Sequence, residues 1–151
     1  MSDKKVLGMS LFGIIKNKEP WHRAHEVGMS EEVRIWFDKG VSDLDVARYL
    51  FDGSKFSAAA FYCQQSVEKM LKALLIQNKG ELVKTHSVRR LAEILKLPED
   101  LKNRIGELED IERLSRYPLK GVIKKYENYD IKNYLKICEE VMEWIKNKLE
   151  S

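Results

Sequence analysis

The stretch Phe61-Tyr-Cys-Gln-Gln-Ser-Val-Glu-Lys-Met-Leu-Lys-Ala-Leu-Leu75 decides the fold, because its apolar residues recur at the spacing of an α-helix. At about 100° per residue, most of its apolar side chains fall within about 60° of one direction. Phe61 and Leu75 lie on one flank of this core-facing stripe, and Gln64 and Glu68 lie between the two apolar sets. The helix therefore has a core face and a second face of mixed character.

The mixed face carries more amides and charges than a helix that only fills a core would need. Gln64 and Glu68 are one turn apart and can bond each other or a partner, and Lys72 can form an ion pair with Glu68. One interpretation is a solvated stripe of polar side chains. The other is a polar patch that faces a second subunit or a ligand. The second interpretation predicts an interface formed by Phe61, Gln64, Glu68, Lys72 and Leu75.

Further amphipathic segments predict an all-α fold, an antiparallel up-and-down helical bundle of four long helices and one short helix. Ser30 is a candidate N-cap of the first helix, and Gly80 is a candidate glycine at the end of the second. We expect Asp52-Gly53-Ser54 to end the first helix and to cap the second. The predicted helices cover residues 31–52, 55–79, 87–96, 99–115 and 130–149.

Residues 1–29 differ from the rest of the chain, because glycines and a proline interrupt them and no helical period persists. We expect an N-terminal extension or arm over residues 1–29 and one helical domain over residues 30–151. An alternative is that Met29 is the true first residue. His22 and His25 lie on this arm, and their spacing alone is a weak indication of a metal site.

The composition is that of a soluble globular protein, with 151 residues, 44% hydrophobic and 34% charged residues, and a net charge of +3. Cys63 and Cys138 occupy core-like helical positions, so we expect buried thiols in a reducing cytosol. No apolar run approaches the roughly 20 residues of a membrane span. The sequence predicts a cytoplasmic protein with no metal, no cofactor and no membrane partner.

Several motifs together resemble the HEPN domain (higher eukaryotes and prokaryotes nucleotide-binding). The run Ala58–Leu75 carries the pattern Gln-Gln-x-x-Glu-Lys-x-Leu-Lys-Ala-Leu, and Lys84-Thr85-His86 follows it. Residues 47–53 are similar to the first helix of that family, and Ser115-Arg116-Tyr117-Pro118 is similar to its motif before the final helix. The resemblance covers residues 30–149 and implies a helical bundle that dimerises.

The resemblance also implies a partner and, in many members, an activity. Such proteins are often encoded beside a small nucleotidyltransferase as a two-component or toxin–antitoxin pair. Many are metal-independent endoribonucleases with an Arg, four to six further residues and a His near the start of the final helix. Here the histidines are His22, His25 and His86, with no Arg at that spacing before them and no His after Arg116. The nuclease motif is therefore absent, which favours a protein that is not an enzyme.

Two segments are candidates for nucleotide or RNA contact. Around Thr85 and His86, the structural alternative is capping of the third helix by Thr85 or Ser87, with His86 bonded to the neighbouring helix. In the basic and aromatic segment after the fourth helix, arginine suits phosphate and tyrosine can stack on bases. The alternative there is a surface loop whose tyrosines pack on the bundle. The candidates are Arg113, Arg116, Tyr117, Lys124, Tyr126, Thr85 and His86.

Two functions follow from this sequence. The first is a non-catalytic HEPN protein that homodimerises, binds nucleotide or RNA, and pairs with a small nucleotidyltransferase in a toxin–antitoxin-like module. The alternative is a metal-independent endoribonuclease toxin with a non-standard active site that uses His86.

Overall fold

The computed structural model describes residues 29–116 and 124–151, and these residues form helices and no strand. The predicted all-α helical bundle is confirmed. The arm predicted over residues 1–29 lies outside the described residues except for Met29, which is buried. His22, His25 and Tyr117 also lie outside them. The elements are α1 (Glu31–Asp52), α2 (Phe56–Lys79), α3 (Val88–Ile94), α4 (Glu99–Ile105), a 3₁₀ turn (Gly106–Leu108), α5 (Ile111–Arg116) and α6 (Asn128–Glu150).

Helices α1 and α2 form an antiparallel hairpin. Trp36 near the start of α1 lies over Lys72 near the end of α2, whereas Phe51 and Phe56 meet beside the turn, with ring centroids 6.0 Å apart. The Oγ of Ser30 accepts from the Val33 amide at 3.2 Å, which confirms the predicted N-cap of α1.

A close approach of the two helix backbones occurs at Gly40. A Cβ placed there would lie 2.6 Å from Met70 Cγ and 3.0 Å from the Ser66 carbonyl oxygen. The Ser66 hydroxyl donates to the Gly40 carbonyl at 2.6 Å. The absence of a side chain at this position therefore sets the spacing of the hairpin.

The ends of α2 follow the sequence prediction only in part. Gly80 has the left-handed φ of 74° expected of a glycine at a helix C-terminus. The expected cap from Ser54 is wrong, because Lys55 occupies the N-cap position and no side chain bonds the first amides. Ser54 itself has φ 58° in the tight turn and is exposed.

Helix α6 packs along α2 and runs in the same direction. Cys138 Sγ contacts the Cys63 carbonyl oxygen at 3.3 Å. Nearer the C-terminal ends of the two helices, Gln77 Nε2 donates to the Leu149 carbonyl oxygen at 3.4 Å. The two contacts join rising residue numbers on both helices. The core lies between α1, α2 and α6, where Leu44, Leu71 and Ile137 are fully buried.

The prediction of a long fourth helix over residues 99–115 is wrong, because α4, the 3₁₀ turn and α5 replace it. The interruption falls at Gly106, a poor helix former. Its carbonyl oxygen accepts from the Glu109 amide at 3.2 Å in the 3₁₀ pattern and from the Arg89 guanidinium at 3.3 Å. The turn also directs the Glu109 carboxylate at α3, where it accepts from the Arg89 amide at 2.8 Å.

In the part of the chain that the structure describes, no helix has the length and apolar character needed to cross a bilayer.

Candidate functional site

A network of buried polar side chains occupies the centre of α2. Gln64 is 0% exposed, Glu68 4% and Lys72 5%, so a solvated stripe at these positions is excluded. Lys72 Nζ donates to Glu68 Oε2 at 2.8 Å, and Gln64 Nε2 donates to Glu68 Oε1 at 3.1 Å. Both carboxylate oxygens of Glu68 therefore have partners, as a buried charge requires.

His86 contacts this network from the protein surface. Its Nδ1 lies 3.2 Å from Glu68 Oε2, while 58% of its side chain is exposed. Gln64 Nε2 also lies 3.4 Å from the His86 carbonyl oxygen, so α2 holds both the ring and the backbone of this residue. A carboxylate on one ring nitrogen fixes the orientation of an imidazole and leaves Nε2 for another partner.

Trp36 of α1 covers the other end of the network. Lys72 Nζ lies 5.6 Å from the centroid of its ring, within the range of a cation–π contact. The ammonium is thus placed between the Glu68 carboxylate and an aromatic face. A second buried carboxylate, Asp43, lies on α1 between Lys39 and Lys69. In the sequence, the i,i+4 spacing of Lys39 and Asp43 was the only indication of this buried ion pair.

The segment before α3 is held by capping bonds, which is the structural alternative that the sequence left open. Thr85 Oγ1 accepts from the Ser87 amide at 3.1 Å, and Ser87 Oγ accepts from the Arg90 amide at 3.1 Å. The Ser87 hydroxyl also bonds the Glu109 carboxylate beyond the 3₁₀ turn. These bonds hold His86 against α2. A contact of Thr85 or His86 with nucleotide or RNA stays a prediction.

The residues predicted to form an interface differ in accessibility. Leu75 and Gln64 are fully buried, and Glu68 and Lys72 are nearly so. They are covered by other residues of the same chain. Phe61 is half-buried and packs edge-to-face on Tyr62, with centroids 5.5 Å apart. Of these residues, Phe61 is the one with side-chain surface available to a partner.

Phe61 lines an open pocket of about 670 Å³ between the first turns of α2 and the end of α5. Its apolar surface comes with two hydroxyl groups, those of Ser57 and Ser115. Arg116, the last residue of α5, directly follows Ser115. The pocket is lined by Ser57, Ala58, Phe61, Leu114 and Ser115.

The pocket and His86 lie on the same side of α2. Phe61 and Glu68 are separated by about two helical turns, and thus by roughly 10 Å along one face of the helix. Because Glu68 binds His86, the imidazole lies about that far from the pocket along the axis. The pocket and the site of His86 are therefore about two turns of α2 apart on one face of that helix.

The predicted basic and aromatic cluster divides into exposed and packed members. Arg113 is 56% exposed, and its guanidinium lies 3.4 Å from Asp110 Oδ1. The Tyr126 ring packs edge-to-face on Tyr134, with centroids 6.1 Å apart. Lys124 Nζ lies 5.1 Å from the centroid of the Tyr126 ring. Tyr126 thus packs on the bundle, whereas Arg113 remains open to a ligand.

The two packed tyrosines have raised pKa values. Burial is the main cause for Tyr126, and the charges of Asp130 and Asp110 raise its pKa further. Burial, followed by the effects of Tyr126 and Asp130, raises the pKa of Tyr134 to about 12. Both phenols therefore remain neutral near pH 7. Among the described residues, no group of three or more His, Cys, Asp or Glu side chains is arranged to hold a metal ion.

The fold and its buried polar centre define a class of small helical-bundle proteins. The HEPN domain family model matches residues 33–148, and the chain therefore belongs to the HEPN family.

Two relatives extend this assignment. The chain is 30% identical over 133 residues to "Putative toxin MJ1304" of Methanocaldococcus jannaschii, a match that covers 77% of this chain and 87% of that protein. It also resembles the crystal structure of ST0689, an archaeal HEPN homologue, with a TM-score of 0.66 and 26% identity. That match covers 78% of this chain and 97% of the homologue.

Proposed function

We propose that this HEPN-family protein is a non-catalytic, cytoplasmic homodimer that binds nucleotide or RNA and pairs with a small nucleotidyltransferase in a toxin–antitoxin-like module. The observation that carries the binding function is the pocket at Phe61 and Ser115, next to the end of α5. The absence of a His after Arg116 supports binding without cleavage. The toxin name of the archaeal relative supports the toxin–antitoxin context.

The chemistry of the pocket suits one nucleotide of a single strand. The half-buried ring of Phe61 and the side chain of Leu114 offer an apolar surface for a base. The hydroxyls of Ser57 and Ser115 can bond a sugar or a phosphate. Arg113, exposed one turn before the end of α5, can contact the next phosphate.

Binding is tested with fluorescently labelled single-stranded RNA and with labelled ATP, by anisotropy at several salt concentrations. Arg113→Ala should weaken RNA binding and reduce the salt slope by about one. Phe61→Ala should weaken binding at every salt concentration, because a stacked base contributes about 1–3 kcal/mol. Lys136→Ala, which removes an exposed cation from α6, is the matched control and should bind as the wild type does.

Equal affinities for the wild type and both pocket variants would place RNA elsewhere on the protein. Equal losses for Arg113→Ala and Lys136→Ala would indicate non-specific attraction to a basic surface.

One observation favours the endoribonuclease as a second candidate function. The buried Glu68 carboxylate orients an imidazole that is 58% exposed, which is the arrangement of a general acid–base group. In that function, His86 Nε2 would accept the proton of a ribose 2′-hydroxyl. The test is incubation of the purified protein with total RNA and excess chelator. Cleavage that His86→Ala abolishes and Lys136→Ala preserves would overturn the non-catalytic proposal.

The assembly state and the partner have separate tests. Light scattering at tens of micromolar should give the mass of a dimer, and a monomer there would contradict the homodimer. A small nucleotidyltransferase encoded beside this chain should co-purify with it after co-expression. Separate elution of the two proteins would contradict the pairing.

A further inference from the structure

The two cysteines of the chain meet in its core. Cys63 on α2 and Cys138 on α6 are 75 residues apart, and Cys138 Sγ contacts the Cys63 carbonyl oxygen at 3.3 Å. Both are free and fully buried. Neither thiol has a part in the polar network or in the pocket.

The packing of α2 and α6 produces this pairing. Each cysteine lies on the face that its helix turns to the other, with the sulfur of one resting on the backbone of the other. Because the Cys138 sulfur already touches the Cys63 backbone, a bond of about 2.0 Å between the two sulfurs requires only a local movement of the two side chains. Such a movement is small compared with the spacing of packed helices, which is about 8–10 Å.

We propose that Cys63 and Cys138 are an oxidative modification site, at which an intramolecular disulfide cross-links α2 to α6 when the chain folds in the presence of a small-molecule disulfide. This inference is independent of the proposed function, because it does not involve the pocket or His86.

The reaction proceeds by two thiol–disulfide exchanges. The Cys138 thiolate attacks one sulfur of oxidised glutathione, whose disulfide breaks and releases one glutathione thiolate. The Cys63 thiolate then attacks the Cys138 sulfur, and the mixed disulfide breaks to release the second glutathione. The protein loses two electrons and two protons, and glutathione disulfide gains both as two thiols.

Burial controls when this reaction occurs. It is the main cause that raises the pKa of the Cys138 thiol, and the hydrogen bond to Cys63 adds to it. The folded protein therefore contains little thiolate and excludes the oxidant. The first exchange takes place while α6 is still separated from α2, and the second takes place as the two helices come together. The closed core then protects the finished bond from reductants.

The test is refolding from denaturant in buffers of oxidised and reduced glutathione, followed by intact-mass measurement. The product should be a monomeric chain that is lighter by two hydrogen atoms, and digestion should yield a peptide pair joined through Cys63 and Cys138. The melting temperature of this form should exceed that of the reduced protein by roughly 5 °C or more, because the bond closes a long loop. Dithiothreitol added under denaturing conditions should abolish the difference.

Native protein exposed to the same buffer is the first control, and it should keep both thiols for much longer. Cys138→Ser, refolded in parallel, should form no internal cross-link. A refolded wild-type chain that carries two glutathiones, two free thiols or only bonds between chains would overturn the proposal. So would a cross-linked form that melts no higher than the reduced protein.

Discussion

Glu68 brings a negative charge into the core and depends on three neighbours for its stability there. Lys72 neutralises it, Gln64 bonds its second oxygen, and His86 covers the side that faces solvent. A charge in such a place is strongly unfavourable when its counter-ion is removed. The same contacts position His86, so stability and the orientation of a candidate functional group have one origin.

Lys72→Met should therefore lower the free energy of unfolding by about 3 kcal/mol, because Glu68 loses its buried cation. Guanidinium titration followed by circular dichroism measures the loss. The double variant Glu68→Gln/Lys72→Met should be less destabilised than the sum of the single variants, since it leaves no unpaired charge. A loss below about 1 kcal/mol in Lys72→Met would show that the ion pair is solvated in solution.

At the scale of elements, the hairpin of α1 and α2 depends on one close contact. Gly40 allows Ser66 and Met70 to approach the α1 backbone. One of the atoms that a new Cβ would meet is a backbone carbonyl oxygen, which cannot turn away. Gly106 is the opposite case, because the atoms nearest to a Cβ added there belong to the flexible side chain of Arg89.

Gly40→Ala should lower the free energy of unfolding by about 1–2 kcal/mol, since overpacking of about 1–3 kcal/mol exceeds a helix-propensity gain of about 1 kcal/mol. Gly53→Ala is the control, because the nearest atom to a Cβ there is 3.7 Å away and φ is −86°. It should stay within about 0.5 kcal/mol of the wild type. A stabilised Gly40→Ala protein would show that the helices separate without cost.

At the scale of the whole molecule, the pattern of apolar residues was enough to predict the bundle, and the capping preferences of serine and glycine predicted the N-cap at Ser30 and the end of α2 at Gly80. It did not predict the break at Gly106, where the carbonyl oxygen accepts from the Arg89 guanidinium of α3, a contact that the local sequence does not reveal. The polar residues of α2 were identified as unusual, but their spacing could not show that Trp36 and His86 cover them. The meeting of Cys63 with Cys138 required the packing of α6 on α2.

The stability of the molecule should fall in alkaline solution as the packed tyrosines ionise. The pKa of Tyr134 is about 12 in the folded protein, against 10.0 for an ordinary tyrosine, so the folded state favours the neutral phenol. The stability that the neutral Tyr134 phenol contributes is complete below about pH 10 and is lost as the pH rises from about 10 to about 12. Denaturant titrations across that window should show a smaller decline for Tyr134→Phe. Parallel curves of stability against pH for the wild type and Tyr134→Phe would contradict a raised pKa for Tyr134.

The parallel course of α2 and α6 has a consequence for the newly made chain. The α1–α2 hairpin is complete long before the ribosome has made its packing partner, since 75 residues separate Cys63 from Cys138. At roughly 5–20 residues per second, the face of α2 that receives α6 stays uncovered for several seconds. During each round of translation, an apolar surface that the finished protein never displays is accessible to chaperones, to neighbouring nascent chains and to cellular oxidants.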